Sequence, residues 1–290
     1  MKLIVESGAT KTDWVAVFPD REPVSIKTAG INLASMRSDA IESIVKQAVN
    51  EFRDQKLCDS VEDLFFYAAG LVGREGERVP DLAKELDKVL CRLFPGAVIE
   101  YASDMLSAAR AVCGHKPGIV AILGTGSNSC FFDGKRIIKN VPSGGFILGD
   151  EGSGARLGKL FISDFIKNLV PEPVSGEFAK EFQADYPTVV KNVYRGEAPS
   201  RYLGSFAPWI LARYDSSEYV KALVDRNFRD FIEIHLRQYD LERYPVGVVG
   251  GFGYANRAIL EEVAGNLGVK FSTIIKAPME RLVDYHLGRL

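Results

Sequence analysis

The sequence has few of the residues that disulfide frameworks, metal clusters and membrane spans require. Its four cysteines, Cys58, Cys91, Cys113 and Cys130, lie far apart, with no CxxC pair and no histidine at metal-site spacing. We therefore expect reduced thiols that serve mainly in packing. No apolar run approaches the length of a membrane helix, and residues 3–5 are too short a run for a secretory signal. These features favour a cytoplasmic protein without a membrane partner.

The sequence also lacks a strong charge of either sign. A formal net charge of −2, without a dense Lys/Arg run, gives no field that would hold nucleic acid. Hydrophobic residues make up 47% of the 290, so the chain can bury one large core or two ordinary ones.

Two parts of the sequence follow the same plan. LIVESGATKTDWVAVF and IVAILGTGSNSCFF each contain an apolar strand, a turn of small residues with a threonine, and a second strand. Each segment opens a predicted three-stranded meander, over residues 3–6, 14–18 and 23–28, and over residues 119–123, 129–132 and 136–141. Apolar residues at helical spacing follow both meanders, and Ser38 is the expected cap of the first helix. The sequence thus predicts two related α/β domains.

The turns of the two segments align when Gly8 is set against Gly124. In the first turn, Gly8 permits close backbone approach, and Thr10 and Lys11 add hydrogen-bond donors. A plain hairpin turn would explain this first segment by itself. The second turn, which runs through Gly124, Thr125 and Gly126, has more polar groups than a tight hairpin needs. Two such turns facing one cleft would hold a polyphosphate from both sides.

Asp104 follows a predicted strand and lies where a helix rich in alanine begins, at Ser103 or Asp104. A carboxylate at this position can cap the helix. It can equally act as a general base for a substrate hydroxyl, as phosphoryl transfer to an alcohol requires. Position alone favours neither interpretation.

Two later segments combine glycine with the start of a helix. The first contains Gly144, Gly145, Asp150 and Glu151. The two acids could equally be first-turn residues that the helix dipole favours, but loops this rich in glycine and acid favour a functional site. The second contains Gly250 and Gly251 after a short buried strand at residues 246–249. Such a junction is also a common packing device in α/β proteins, so it is a weak signal by itself.

These motifs, in this order, resemble the sugar kinase/heat-shock/actin superfamily. The motifs are ESGATKT, ASDMLSAARA, ILGTGSNS, GDEGSGARLGK and VVGGFGYANRAILEEV. They are most similar to the N-acetylglucosamine kinase branch of the BadF/BadG-type ATPases. The resemblance implies two actin-like (ribonuclease H-like) domains with an ATP cleft between them. The implied bounds are residues 1–116, joined by a closing helix at 279–290, and residues 117–278, which include a helical insertion.

The resemblance also implies an ATP-dependent kinase that phosphorylates the 6-hydroxyl of an amino sugar, N-acetylglucosamine above all. Thr10 and Thr125 would contact the ATP phosphates, while Gly250 and Gly251 would lie against the adenosine. Asp104 would be the base, and Glu6 would contact Mg²⁺ through water. The implied sugar contacts are Asn32, Ser127, Asn128, Gly144, Gly145 and Asp150.

The sequence departs from the family at two places. The first loop reads Glu6-Ser7-Gly8 where the family often has Asp-Gly-Gly. Residues 144–148 are shorter than a family loop in which a tryptophan faces the acetamido group. The identity of the acceptor sugar therefore stays undecided. Whether the protein forms a homodimer is undecided as well.

Three alternatives belong to other functional classes. An ATPase activator of a dehydratase or reductase would hold an iron–sulfur cluster, with Cys113 and Cys130 as the nearest candidate ligands. A non-catalytic sugar sensor would have no need of the base at Asp104, and we expect it to carry a DNA-binding module. An actin-like filament would leave Asn32 and Asp104 without a role.

Overall fold

The computed structural model describes residues 1–8, 11–31, 33, 36–55, 61–71 and 79–290. They divide into two compact units, each with its own core. The first unit contains Met1–His115 and Pro278–Leu290, and the second contains Lys116–Ala277. Thr10 and Asn32, both predicted to contact ligands, lie outside the described residues.

The first unit is built on a mixed five-stranded sheet. Its strands are β1 (Lys2–Ser7), β2 (Lys11–Val17), β3 (Val24–Ala29), β4 (Asp63–Ala68) and β5 (Val98–Ser103), in the order β3-β2-β1-β4-β5. The first three strands pair antiparallel, whereas β4 runs parallel to both β1 and β5. Leu3, Ile4 and Val5 are fully buried, as expected of a central strand that is covered on both faces.

Helices α1 (Ser38–Asp54), α2 (Lys84–Leu93) and α3 (Asp104–Cys113) belong to this unit, together with the closing helix Met279–His286. The apolar stripe of α1 is buried at positions three or four residues apart, including Ile41, Val45 and Phe52. The prediction that Ser38 caps the first helix is wrong. Ser38 is the first residue of the helix, Arg37 precedes it in extended conformation, and no side chain makes a cap hydrogen bond there.

The second unit repeats the same sheet. Its strands are β6 (Gly118–Leu123), β7 (Ser127–Phe132), β8 (Ile137–Val141), β9 (Val246–Val249) and β10 (Phe271–Ile275), in the order β10-β9-β6-β7-β8. Strands β6, β7 and β8 pair antiparallel, and β9 runs parallel to β6 and β10. Strand order and directions match those of the first sheet, with β6 in the place of β1. The prediction of two related α/β domains of the actin-like class is confirmed.

The helices of the second unit lie mainly between β8 and β9. They are α4 (Gly145–Leu148), α5 (Gly154–Phe165), α6 (Val174–Phe182), α7 (Tyr186–Arg195), α8 (Pro199–Gly204), α9 (Ala207–Leu211), α10 (Glu218–Ile234), α11 (Gly251–Ala255) and α12 (Arg257–Asn266); the closing helix is α13. Phe161, Phe178, Phe206 and Trp209 form an aromatic cluster that joins α5, α6 and α9. Within the described ranges, no helix combines the length and the apolar character needed to cross a membrane.

Candidate active site

Three carboxylates of the first unit lie at the end of its sheet where β1 and β5 finish and β2 begins. Glu6 on β1 pairs in register with Asp13 on β2, and Asp104 follows β5 directly. Burial raises the pKa of Glu6 to about 7, and charge repulsion from Asp104 and Asp13 adds to the rise while Lys11 opposes it. This part of the sheet edge is therefore a partly buried acidic cluster that would attract a cation.

Asp104 is not the cap of its helix. Ser103, in extended conformation, is the N-cap of α3, and its Oγ accepts a hydrogen bond from the Leu106 N–H at 3.1 Å. Asp104 is the first helical residue, and its Oδ1 accepts from the Met105 N–H at 2.8 Å. Burial raises the pKa of the Asp104 carboxyl, an effect that its backbone hydrogen bonds partly offset. With capping assigned to Ser103, the structural explanation for Asp104 loses its main support.

The turn after β1 is closed by a hydrogen bond from the Gly8 N–H to the Lys11 carbonyl at 3.0 Å. A Cβ at Gly8 would meet only an ordinary contact, 3.8 Å from that carbonyl. Lys11, a predicted phosphate ligand, makes a 2.6 Å ion pair with Asp13. Its ammonium group therefore neutralises part of the acidic cluster.

The turn after β6 is anchored to the start of α5. The Gly124 N–H donates to the Gly126 carbonyl at 2.9 Å, while the carbonyls of Gly124 and Thr125 accept from Gly154 and Ala155 at 3.0 Å each. No group in the described part of the chain accepts from the N–H groups of Thr125 and Gly126. Two backbone donors without acceptors in one anchored turn suit phosphate oxygens.

Asp150 and Ser127 connect this turn to the glycine-rich loop before α5. Asp150 is buried and has a φ of 59°, and its Oδ1 accepts from the Ser127 N–H at 3.1 Å. Burial raises the pKa of the Asp150 carboxyl. The Oγ of Ser127 is buried and has no hydrogen-bond partner among the described residues. An unpaired buried hydroxyl beside a carboxylate fits the predicted contact with a sugar hydroxyl.

The neighbouring Asp150 gives one reason for a glycine at position 126. A Cβ at this position would lie 3.1 Å and 3.2 Å from the two carboxylate oxygens of Asp150. The prediction that this glycine admits phosphate therefore has a competing explanation, since a larger side chain would displace Asp150 first.

Part of the acid and glycine in residues 149–154 also serves the fold. Glu151 is buried and bonds Arg156 and His235, each at 3.1 Å. A Cβ at Gly152, which has a φ of 78°, would lie 2.6 Å from the Phe231 side chain. Sequence analysis missed His235, because a single histidine just after the end of the distant helix α10 carries no local signal.

Gly250 and Gly251 differ in whether the surrounding structure leaves room for a side chain. Gly250 has a φ of 134°, and its missing Cβ makes room for the backbone of Leu123 on β6. Gly251 begins α11, and a Cβ added to it would have no atom within 4 Å. The predicted adenosine contact fits Gly251 better than Gly250.

Gly144 precedes the short helix α4 and Gly145 begins it, with φ values of 70° and 66°. Ile147 and Leu148 on this helix are 71% and 83% exposed. Lys159 donates to the carbonyls of Phe146 and Ile147 at 2.6 Å and 3.3 Å, which fixes the end of the helix.

The cysteines give no support to the activator hypothesis. Cys130 is buried within β7, and burial raises the pKa of the Cys113 thiol to about 11. Iron–sulfur ligation needs accessible thiolates, so these two positions are poor ligands. Cys58 lies outside the described residues.

Comparison with solved structures identifies the family. A protein from Porphyromonas gingivalis, provisionally named an N-acetylglucosamine kinase, is 37% identical, with a TM-score of 0.90 and 99% of each chain covered. The chain belongs to the N-acetylglucosamine kinase-like family of sugar kinases. A provisionally named N-acetylglucosamine kinase from Chromobacterium violaceum shares its fold at 19% identity, with a TM-score of 0.73 and 98% of each chain covered.

The fold extends beyond the sugar kinases. The ethanolamine utilization protein EutJ from Carboxydothermus hydrogenoformans is 18% identical, with a TM-score of 0.53, over 99% of this chain and 88% of that one. No family model and no curated protein matches the chain.

The groups that could hold Mg²⁺ and those that could hold ATP are of different chemical kinds. The described residues contain no group of three or more His, Cys, Asp or Glu side chains arranged to hold a metal directly. The acidic cluster around Glu6 instead suits a cation that keeps its water shell, as Mg²⁺ does. The unpaired N–H groups of Thr125 and Gly126 suit phosphate, and Gly251 leaves room for the nucleoside.

Proposed function

We propose that this ATP-dependent sugar kinase transfers the γ-phosphoryl group of ATP to the 6-hydroxyl of N-acetylglucosamine. The observation that carries the proposal is the Asp104 carboxylate. Ser103 caps α3 in its place, so Asp104 is free to serve as a base. No described side chain donates a hydrogen bond to it, and burial raises its pKa, which strengthens it as a proton acceptor.

In the proposed reaction, Asp104 takes the proton of the sugar 6-hydroxyl as that oxygen forms its bond to the γ-phosphorus. The bond from the γ-phosphorus to the bridging oxygen breaks, and ADP leaves with the electron pair. The N–H groups of Thr125 and Gly126 donate to phosphate oxygens, and the Ser127 hydroxyl and Asp150 orient the sugar. Bound Mg²⁺ would supply charge neutralisation on the phosphates, and Glu6 would hold it through water.

The preference for an N-acetylated sugar is supported by the apolar surface at α4. Ile147 and Leu148 are exposed and lie just before Asp150 in the chain, and Lys159 holds their helix through the carbonyls of Phe146 and Ile147. Such side chains can cover the methyl group of an acetamido substituent, which glucose and glucosamine lack. A family relative named for N-acetylglucosamine agrees with this choice.

A coupled assay of ADP release tests the proposal with N-acetylglucosamine, N-acetylmannosamine, glucosamine, glucose and no sugar. The highest kcat/KM is expected with N-acetylglucosamine, and the product should carry phosphate on oxygen 6 by NMR. 6-Deoxy-N-acetylglucosamine should bind without supporting turnover. Equal ADP release with and without sugar would contradict kinase activity and point to an ATPase instead.

The double variant Ile147→Ser with Leu148→Ser tests the choice of amino sugar. It should raise KM for N-acetylglucosamine several-fold while leaving KM for glucosamine unchanged. Leu169→Ser is a matched control, because Leu169 is also exposed, at 61%, in the same unit. An equal effect on both sugars would contradict an acetamido contact at α4.

A further inference from the structure

Two asparagine side chains meet at the end of the β7–β8 pair. The Asn128 Oδ1 accepts from the Ser129 N–H at 2.9 Å and from the Asn140 Nδ2 at 2.8 Å. The same Asn140 Nδ2 also donates to the Ser129 carbonyl at 2.7 Å. Asn128 is a predicted sugar contact, whereas Asn140, on the edge strand β8, is a residue that sequence analysis did not single out.

The orientation of both amides follows from backbone groups. The Ser129 N–H can only donate, so the Asn128 atom that faces it is an oxygen, and the Ser129 carbonyl can only accept, so the Asn140 atom that faces it is a nitrogen. Asn140 uses both hydrogens of its Nδ2, and Asn128 accepts two hydrogen bonds at its Oδ1. No described group accepts from the Nδ2 of Asn128, which is half-buried.

The backbone beneath the pair is fixed by a buried tyrosine. The Tyr239 hydroxyl accepts from the Val141 N–H at 3.0 Å and lies 3.0 Å from the Ser129 Oγ. Side chains therefore complete the hydrogen bonding at this end of the β7–β8 ladder. Asn140 lies on β8, and the hydrogen bond from the neighbouring Val141 to Tyr239 fixes the position of that strand.

We propose that Asn140 is a positioning residue for the acceptor sugar, which it affects only by orienting Asn128. By occupying the Asn128 Oδ1, it directs the Asn128 Nδ2 to donate to an oxygen of the sugar. The preferred substrate then presents at this point an oxygen that can only accept, as the carbonyl of an acetamido group does. The inference rests on the proposed sugar kinase activity.

Asn140→Asp reverses the orienting contact. A carboxylate cannot donate to the Asn128 Oδ1, so it draws the Asn128 Nδ2 toward itself and leaves the Oδ1 to face the sugar. KM for the sugar should rise about tenfold, since a hydrogen bond is replaced by two facing acceptors. KM for ATP should stay within about twofold, because Asn140 bonds Asn128 and Ser129 and not the proposed phosphate donors Thr125 and Gly126. Asn140→Ala should raise the sugar KM less, since the Ser129 N–H still holds the Asn128 Oδ1.

A double-mutant cycle separates this role from a merely structural one. If Asn140 acts through Asn128, adding Asn140→Asp to Asn128→Ala should produce no further rise in the sugar KM. Asn266→Asp is the control for added charge, because it is the same substitution at an exposed position of the same unit. Thermal melting of each variant monitors folding, and calorimetric titration of sugar with a non-hydrolysable ATP analogue measures binding without turnover.

The outcomes distinguish the inference from the function on which it rests. Wild-type protein that phosphorylates no sugar in the panel would overturn both. Active wild-type protein with an unchanged sugar KM in a folded Asn140→Asp variant would overturn the inference alone. Effects that add fully in the double variant would also overturn it, because Asn140 would then act independently of Asn128.

Discussion

Replacing Glu6 with glutamine tests whether the acidic cluster of the first unit is a source of strain. Glu6 lies on β1 between the charges of Asp13 and Asp104, and burial is the largest cause of its raised pKa. The side chain of glutamine has nearly the same shape but carries no charge at any pH. We expect Glu6→Gln to stabilise the first unit at neutral and alkaline pH, while lowering activity if Glu6 contacts Mg²⁺ through water.

The magnitude follows from the pKa. Raising it from 4.5 to about 7 corresponds to about 3–4 kcal/mol, since each tenfold change in proton affinity is worth ~1.4 kcal/mol. Below pH 4.5 the carboxyl is protonated in both the folded and the unfolded chain, so wild type and variant should be equally stable. Between pH 4.5 and 7 the folded state binds more protons than the unfolded state, so wild-type stability falls as pH rises. Above pH 7 the difference in unfolding free energy between variant and wild type should stay at its full value.

Urea unfolding at several pH values measures this difference. Each unit contains one tryptophan, Trp14 in the first and Trp209 in the second, so a Trp209→Phe background reports on the first unit alone. This background is needed because two units need not unfold in one step. Glu22→Gln, at an exposed position of the same unit, is the matched control and should change stability little.

Unfolding and Mg²⁺ binding can each contradict this role of Glu6. If Glu6→Gln gains no stability relative to wild type between pH 5 and pH 8, the carboxylate is not strained in the folded protein. Mg²⁺ with ATP should also stabilise wild type more than the variant, since a bound cation relieves the repulsion. Equal stabilisation of both would argue against a metal contact at Glu6.

Three further predictions concern single residues of the site. Asp104→Asn should lower kcat about a hundredfold or more with little change in melting temperature, whereas Ser103→Ala should destabilise by ~1 kcal/mol; a folded Asp104→Asn variant with normal turnover would contradict the base assignment. Gly251→Val should raise KM for ATP in a folded protein, whereas Gly250→Ala should unfold it at lower temperature; unchanged ATP affinity in Gly251→Val would remove the adenosine contact. Ser127→Ala should raise the melting temperature of the free enzyme and weaken sugar binding, because the buried hydroxyl has no partner until substrate arrives; calorimetry and thermal melting on the one variant test both parts.

The fold could be predicted because its signals are local and repeated. Apolar runs such as that at residues 3–6 mark central strands, and observed strands differ from the predicted ones by only a few residues at their ends. The matching turns at Gly8 and Gly124 revealed the duplication, which the identical strand orders confirm. What failed was the detail of helix starts. Whether Ser38 caps a helix or begins it depends on backbone angles that its residue type does not determine.

The site was harder to predict because glycine and acid have two uses in it. Gly152 and Gly250 are small to make room for Phe231 and Leu123, which lie far away in sequence. Glu151 is paired with His235 at a separation of 84 residues. Only the packed structure distinguishes such residues from Gly251, which borders open space, because long-range contacts leave no pattern in the neighbouring sequence.

The duplicated sheet carries different chemistry in its two copies. In the first unit, the strand ends and the helix after β5 present the carboxylates Glu6, Asp13 and Asp104, which suit a proton and a hydrated cation. In the second, the equivalent turn presents the N–H groups of Thr125 and Gly126, which suit anionic oxygens. A single sheet edge crowded with both would pair its own donors with its own carboxylates. Because the two sets lie on different copies of the sheet, neither set pairs with the other along its own sheet. Lys11, bonded to Asp13, shows how such pairing occupies a predicted phosphate ligand.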